Sequence, residues 1–170
     1  MSDPGALNFR YEWMGVAWHM IKEHPVFGVG LNTFVFRLPG NSRYGGPSGL
    51  TERFGDVWPV VHDIYLLTWA EQGTLGFILF VGLLLTVLWT GVRNMRNYVD
   101  PSLFTLNLGC FAGFIAILWD GIGSFYIRNP ASGRLFWILV AIIIAIDYWN
   151  RTNSRLRAES VSGGRWDRRQ

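Results

Sequence analysis

Two long stretches without any charged side chain, and a third with one, decide what this chain can fold into. Residues 74–92 (TLGFILFVGLLLTVLWTGV) and 103–119 (LFTLNLGCFAGFIAILW) are uncharged, and residues 135–149 contain only Asp147. At ~1.5 Å per residue the first stretch measures roughly 28 Å as a helix, close to the ~30 Å hydrocarbon layer of a bilayer. Residues 131–134 extend the third stretch enough to span. Buried helices of water-soluble proteins seldom run so far without a polar face, so the soluble reading is the weaker one. The expected fold class is all-α integral membrane. Three transmembrane helices, at about 74–92, 103–119 and 132–149, are preceded by an extracytoplasmic amphipathic helix and an irregular loop.

Composition narrows this further. Half of the 170 residues are hydrophobic and 16% are charged, too apolar for a disordered chain. The single cysteine, Cys110, excludes a disulfide framework and a Cys-based zinc site. The net charge of +3 hides an asymmetry. Residues 1–63 carry five basic and six acidic groups, whereas residues 150–170 carry six Arg against Glu159 and Asp167. Arg93 and Arg96 follow the first span. Lys/Arg-rich flanks stay cytoplasmic, so residues 1–62 and the loop 120–134 are expected to face outward, with a disordered basic tail, 151–170, inside. Trp69, Trp119 and Trp137 then mark the outer interface, and Trp89, Tyr148 and Trp149 the inner one. The first residues, MSDPGALNFRYEW, have neither a basic region nor an apolar core and are no signal peptide. The simplest expectation is that earlier membrane helices precede this chain, making it the C-terminal piece of a larger multi-pass protein. A missing N-terminal membrane half is then a partner. No nucleic-acid partner is expected.

The outer region has its own order. In residues 9–24, Phe9, Trp13, Val16, Ala17 and Met20 recur at helical spacing, which predicts an amphipathic helix at the membrane surface. Pro25 ends it, and Gly28 and Gly30 permit a tight turn. Residues 38–60 are rich in Gly and Pro and read as a long irregular loop, a type that is usually functional or disordered. Residues 62–69 (HDIYLLTW) predict a short helix that feeds the first span through Glu71, Gln72 and Gly73.

Outward residues able to do chemistry are Arg10, His19, His24, Arg37, Arg43, Arg53, Asp56, His62, Asp63, Glu71, Asp120, Tyr126, Arg128 and Arg134. His62 either caps a helix at the interface or accepts a proton near neutral pH. His19 and His24 lack the i, i+4 spacing and third ligand of a metal pair, so no metal is expected. The arginines either clamp a phosphate or are solvated loop charges. Within the spans, Gly109 and Gly113 form a GxxxG pattern that would let another helix approach closely. Asn107 needs a helix partner or an inward cavity, and Asp147 fits the inner interface.

The run FRYEWMGVAWHMIKEHPVFGVGLNTF, followed by VHDIYLLTWAEQGTLGFI, resembles the C-terminal signature of the O-antigen ligase and polymerase superfamily of bacterial membrane proteins. The shared pattern is an Arg-x-x-Trp helix start (Arg10, Trp13), a His-Pro-hydrophobic-Phe-Gly-x-Gly turn (His24 to Gly30) and an irregular loop. A His step into a membrane helix through Glu-x-Gly-x-x-Gly follows (His62, Leu66, Glu71, Gly73, Gly76). The resemblance covers residues 9–92 well and the last two spans only in layout. It departs from the pattern at Asp63, where Asn is expected, and in having three spans rather than roughly a dozen.

The resemblance implies a metal-independent, cofactor-free glycosyltransferase in the bacterial inner membrane. The donor would be an undecaprenyl-pyrophosphate-linked glycan, and the acceptor the lipid A core (ligase) or a growing glycan (polymerase). It implies His62 as the catalytic residue and Arg10 on the pyrophosphate. Arg37, Arg43 and Arg53 are additional candidate clamps, with Asp63 and Glu71 in support. Inversion at the anomeric carbon is expected. The competing expectations are a membrane transport subunit, which would need polar residues along its spans, and a noncatalytic truncated remnant.

Overall fold

A computed structural model describes residues 4–35, 61–98, 100–124 and 126–166, with backbone alone for residues 4–10, 126, 157, 158 and 160–166. Four α-helices and one 3-10 turn are present among the described residues. They are α1 (Pro4–Glu23), α2 (Ile64–Arg96), α3 (Pro101–Asp120), the turn Tyr126–Arg128 and α4 (Pro130–Trp166). The helix starts follow local chemistry. Pro101 and Pro130 open their helices, where a missing N–H costs nothing. Asp100 caps α3 by accepting from the Ser102 N–H at 2.7 Å.

Three of these helices are long and apolar enough to cross a membrane: Ile64–Arg96, Pro101–Asp120 and, within α4, Pro130–Leu156. Many of their large side chains point away from the protein. Ile78, Leu79, Leu85, Leu106, Ile115, Ile138 and Ile144 are all exposed. In water such a surface would aggregate; in lipid it is the ordinary outer face of a span.

The chain divides into two compact units, each with its own packing. The first comprises residues up to Gly82 together with Trp119–Asn129. Its core joins Trp13, Ala17, Met20 and Ile21 of α1 to Val29, Phe34, Val61, Leu67 and Ala70. The apolar stripe of α1 is therefore used within the protein. The side chains left for a membrane surface are others, notably Tyr11 and Trp18. Trp69, expected at the outer interface, is held by local contacts. Its ring stacks on Phe77 at 5.0 Å, and its indole N–H donates to Thr74 Oγ1 at 3.1 Å.

The second unit comprises Leu83–Leu118 and the chain from Pro130 onward. Its seam runs through Leu84, Val87, Phe111, Phe114, Phe136, Val140, Ile143 and Ile146, with Phe114 stacked on Phe136 at 5.5 Å. Asn107 has found a helix partner. Asn94 Nδ2 donates to Asn107 Oδ1 at 3.0 Å and to the Ile143 carbonyl at 2.9 Å, and Asn107 Nδ2 donates to the Gly91 carbonyl at 3.0 Å. Interhelical amides of this kind act as polar glue inside a membrane. Close helix approach occurs at Gly91, not at the GxxxG pair. A Cβ on Gly91 would lie 2.3 Å from the Phe111 ring, whereas Gly109 faces open space and Gly113 meets Leu139 at an ordinary 3.4 Å.

The basic tail is helical as far as Trp166, where an unstructured segment was expected. The chain after Asn150 holds no proline and no glycine before Gly163, so nothing interrupts the helix once the span has started it. Arg151 Nε also pairs with Asp147 Oδ2 at 2.9 Å, one turn back.

Candidate functional site

The first unit is organised around a break in α2. Gly73 is not helical (φ 68°, ψ −174°), although helix continues on both sides. A break there removes the bonds that the N–H groups of Thr74 and Leu75 would make to the carbonyls of Ala70 and Glu71. Both donors and both acceptors find replacements in the turn after α1. Val29 and Gly30 donate to the Ala70 and Glu71 carbonyls at 3.0 and 2.9 Å. Thr74 and Leu75 donate to the Pro25 and Val26 carbonyls at 2.8 and 3.4 Å. The backbone account closes, as it must where water is scarce.

This exchange requires two glycines. Gly28 and Gly73 both have positive φ, at 66° and 68°. A Cβ on Gly73 would lie 2.2 Å from the Val26 oxygen, and one on Gly28 would lie 2.4 Å from the Glu71 carbonyl. No other residue tolerates both that conformation and that approach.

Glu71 completes the joint. Its side chain is 1% exposed and pairs with Arg128 of the 3-10 turn. It also accepts from the backbone N–H of Asn32 (2.8 Å, Oε2) and of Phe34 (3.1 Å, Oε1). Asn32 presents its N–H from a left-handed conformation, φ 56°, which asparagine tolerates better than most residues. Thr33 Oγ1 closes the turn on the Val29 and Gly30 carbonyls at 2.9 and 2.6 Å. A carboxylate this deep is costly unless paired and hydrogen-bonded, and here it is both. One side chain thus joins the turn after α1, the break in α2 and the loop after α3.

His62 sits in an exposed bend immediately before α2. Val61 on one side is fully buried in the core, and Asp63 on the other is the helix cap. Asp63 Oδ1 accepts from the Tyr65 and Leu66 N–H groups at 2.9 and 3.0 Å. An Asn oxygen would serve equally in that cap, so the Asp in place of the expected Asn has a structural explanation. The Ile64 N–H donates to the Gly121 carbonyl at 3.0 Å, which ties the bend to the turn that ends α3. Asp120 there accepts from the Ser124 hydroxyl at 2.8 Å.

Arg10 lies on α1, one turn before Trp13. Trp13 and Val61 belong to the same buried cluster, so one core carries the backbone at Arg10 and at His62. Arg37, Arg43, Arg53 and Asp56 lie outside the described residues. On α1, His19 lies 3.5 Å from Glu23, while Arg134 at the start of α4 donates to the Pro130 carbonyl at 2.8 Å. Sequence reasoning named Arg128 only among many outward groups and did not foresee that it pairs with Glu71, 57 residues away. Nor did it single out Asn32. Another arginine would have been an equally good guess for Glu71, because no local spacing links the two partners.

The docked turn also presents an apolar rim, with Val26, Phe27 and Leu31 exposed by 54, 74 and 68%. Residues 1–81 match the family model described as O-antigen ligase. No curated protein and no solved structure matches the chain.

Proposed function

We propose that this chain, a member of the O-antigen ligase family through residues 1–81, takes part in glycan transfer from a polyprenyl-pyrophosphate carrier to an acceptor hydroxyl. The site is built on the joint around Glu71. The family match carries the reading, because it covers α1, the docked turn, the His62 bend and the break in α2, the segments that this joint assembles.

In the proposed reaction the acceptor oxygen forms a bond to the anomeric carbon. The bond from that carbon to the pyrophosphate oxygen breaks, and its electron pair leaves with the lipid pyrophosphate. His62 takes the acceptor's proton, a contribution on the order of 10²–10⁴-fold. Arg10 meets the charge that grows on the leaving oxygen, with Arg37, Arg43 and Arg53 as further clamps. Donors aimed at such developing charge contribute about 10²–10³-fold each. Attack opposite the leaving group inverts the anomeric centre. The exposed Val26, Phe27 and Leu31 support this reading, since such an apolar rim suits an acyl boundary where a polyprenyl chain would arrive.

The transport alternative needs polar groups that line a path through the spans. Asn107, the polar residue within a span, instead bonds to Asn94 near the end of α2 and to the Gly91 carbonyl, which favours the transfer reading. Complementation of a strain lacking its ligase or polymerase tests the proposal. His62→Ala and Arg10→Ala, each at parental abundance in the membrane, are expected to abolish surface glycan. Full activity in both would remove the assigned roles.

A further inference from the structure

Helix α1 has a second apolar face. Trp13, Ala17, Met20 and Ile21 are buried in the core of the first unit. Tyr11, Gly15, Trp18 and Lys22 follow one another at i, i+4, i+7 and i+11, on the opposite side of the helix. Tyr11 and Trp18 are exposed by 70 and 47%, and a Cβ on Gly15 would meet nothing within 4 Å. Glu12, His19 and Glu23 share one narrow ridge between the two faces. A helix bathed in water on its outer side keeps that side polar; here the polar groups occupy the edge instead.

Contacts within the first unit give this face a depth. The Thr74 and Leu75 N–H groups donate to the Pro25 and Val26 carbonyls, so the docked turn stands level with the start of the uncharged run of α2. The exposed Val26 and Phe27 therefore begin at the height of Leu75, the first exposed residue of an apolar run that continues with Ile78 and Leu79. Trp18 lies edge-on to Trp69 at 5.8 Å, and Trp69 stacks on Phe77 at 5.0 Å. One file of rings thus leads from α1 into the span. Lys22 Nζ stands 5.7 Å from the centre of the Trp18 ring, a cation–π contact on the same face.

The side chains select the occupant. A seam with another helix favours small residues and would strip water from the Lys22 ammonium. Tyrosine, tryptophan and lysine, each with an apolar body and a polar tip, instead suit the boundary between headgroups and acyl chains. The apolar surface of the α2 span is continuous with them through Trp69 and Phe77. We propose that the Tyr11–Gly15–Trp18–Lys22 face and the docked turn rest on the lipid bilayer beside α2. Trp18 and Lys22 lie in the headgroup layer, and Phe27 reaches the acyl boundary. The stripe expected at the membrane from periodicity, with Trp13, Ala17 and Met20, serves the core, and the opposite face meets lipid. The joint around Glu71 hangs from the same turn, so this contact sets its height above the acyl chains whether or not the joint transfers glycans.

The full chain in a Cys110→Ala background, carrying a nitroxide on one introduced cysteine at a time, is placed in nanodiscs of phosphatidylcholine and phosphatidylglycerol. Electron paramagnetic resonance reads collisions with oxygen, which concentrates in lipid, and with a water-soluble nickel chelate. Leu79→Cys in the span and Glu12→Cys on the polar ridge supply the lipid and water references. All the labelled positions are exposed, so the unfolding midpoint is expected to stay at the parental value. Gly15→Cys and Phe27→Cys are both expected to show an oxygen-to-nickel ratio severalfold above that of Glu12→Cys, with Phe27→Cys the closer to Leu79→Cys. Nickel access at either site equal to that of Glu12→Cys overturns the proposal, as does the reverse order of depth. Shielding of either site from both reagents also overturns it, since a second copy or another protein segment would then cover the face.

Discussion

Glu71 concentrates the residue-scale physics of this protein. Three groups meet at its carboxylate: two backbone N–H donors and the Arg128 guanidinium. Removing one partner of a buried pair leaves the other uncompensated and costs about 3–5 kcal/mol. Arg128 keeps 25% of its side chain exposed and can recover some hydration, so the lower end applies. Glu71→Ala is expected to destabilise the first unit by about 3 kcal/mol, and Glu71→Gln by less, since one acceptor oxygen remains. Denaturant unfolding in mild detergent, followed by near-UV signal from the tryptophans, measures both. A parental midpoint for Glu71→Ala would mean that the carboxylate does not hold the joint.

At the scale of elements, the glycines separate into those that a helix contact requires and those that it does not. The GxxxG pattern at Gly109 and Gly113 looks like a packing motif, yet Gly109 has open space where its Cβ would stand. Gly91 matches no motif, and a methyl there would strike the Phe111 ring at 2.3 Å. Gly91→Ala is therefore expected to destabilise the second unit by about 1–3 kcal/mol through overpacking, and Gly109→Ala to be neutral within ~0.5 kcal/mol. Phe111→Leu should relieve much of the Gly91→Ala defect in a double-mutant cycle. Additive effects would show that the ring does not carry the contact. The break in α2 follows similar logic, since Gly73 ends one set of helix bonds only because the turn after α1 supplies another.

For the whole molecule, the distribution of arginines bears on orientation. Arg93 and Arg96 close α2, and Arg151 and Arg155 follow the last span. If these ends lie on the cytoplasmic side, as their arginines lead one to expect, the His62 bend would face outward. In a Cys110→Ala background, His62→Cys is expected to react with a membrane-impermeant maleimide in intact cells. Arg96→Cys should react only after permeabilisation. The reverse pattern would put the His62 bend inside the cell and defeat the proposed transfer from an outward-facing carrier.

Much of the architecture was legible in the residues because burial in lipid is a local demand. Length, absence of charge and flanking arginines announce three spans without reference to any other part of the chain. The same holds for Pro25 after α1 and for the cap at Asp63, both governed by the nearest few residues. The extent of α4 was misread because a tail rich in arginine looks soluble by composition, while helix continuation needs only the absence of a breaker. What folding alone decided are the long-range partners: Glu71 with Arg128, Asn94 with Asn107, and Gly91 against Phe111. No periodicity encodes these, because a hydrogen bond or a steric fit depends on positions in space that only the packed helices determine.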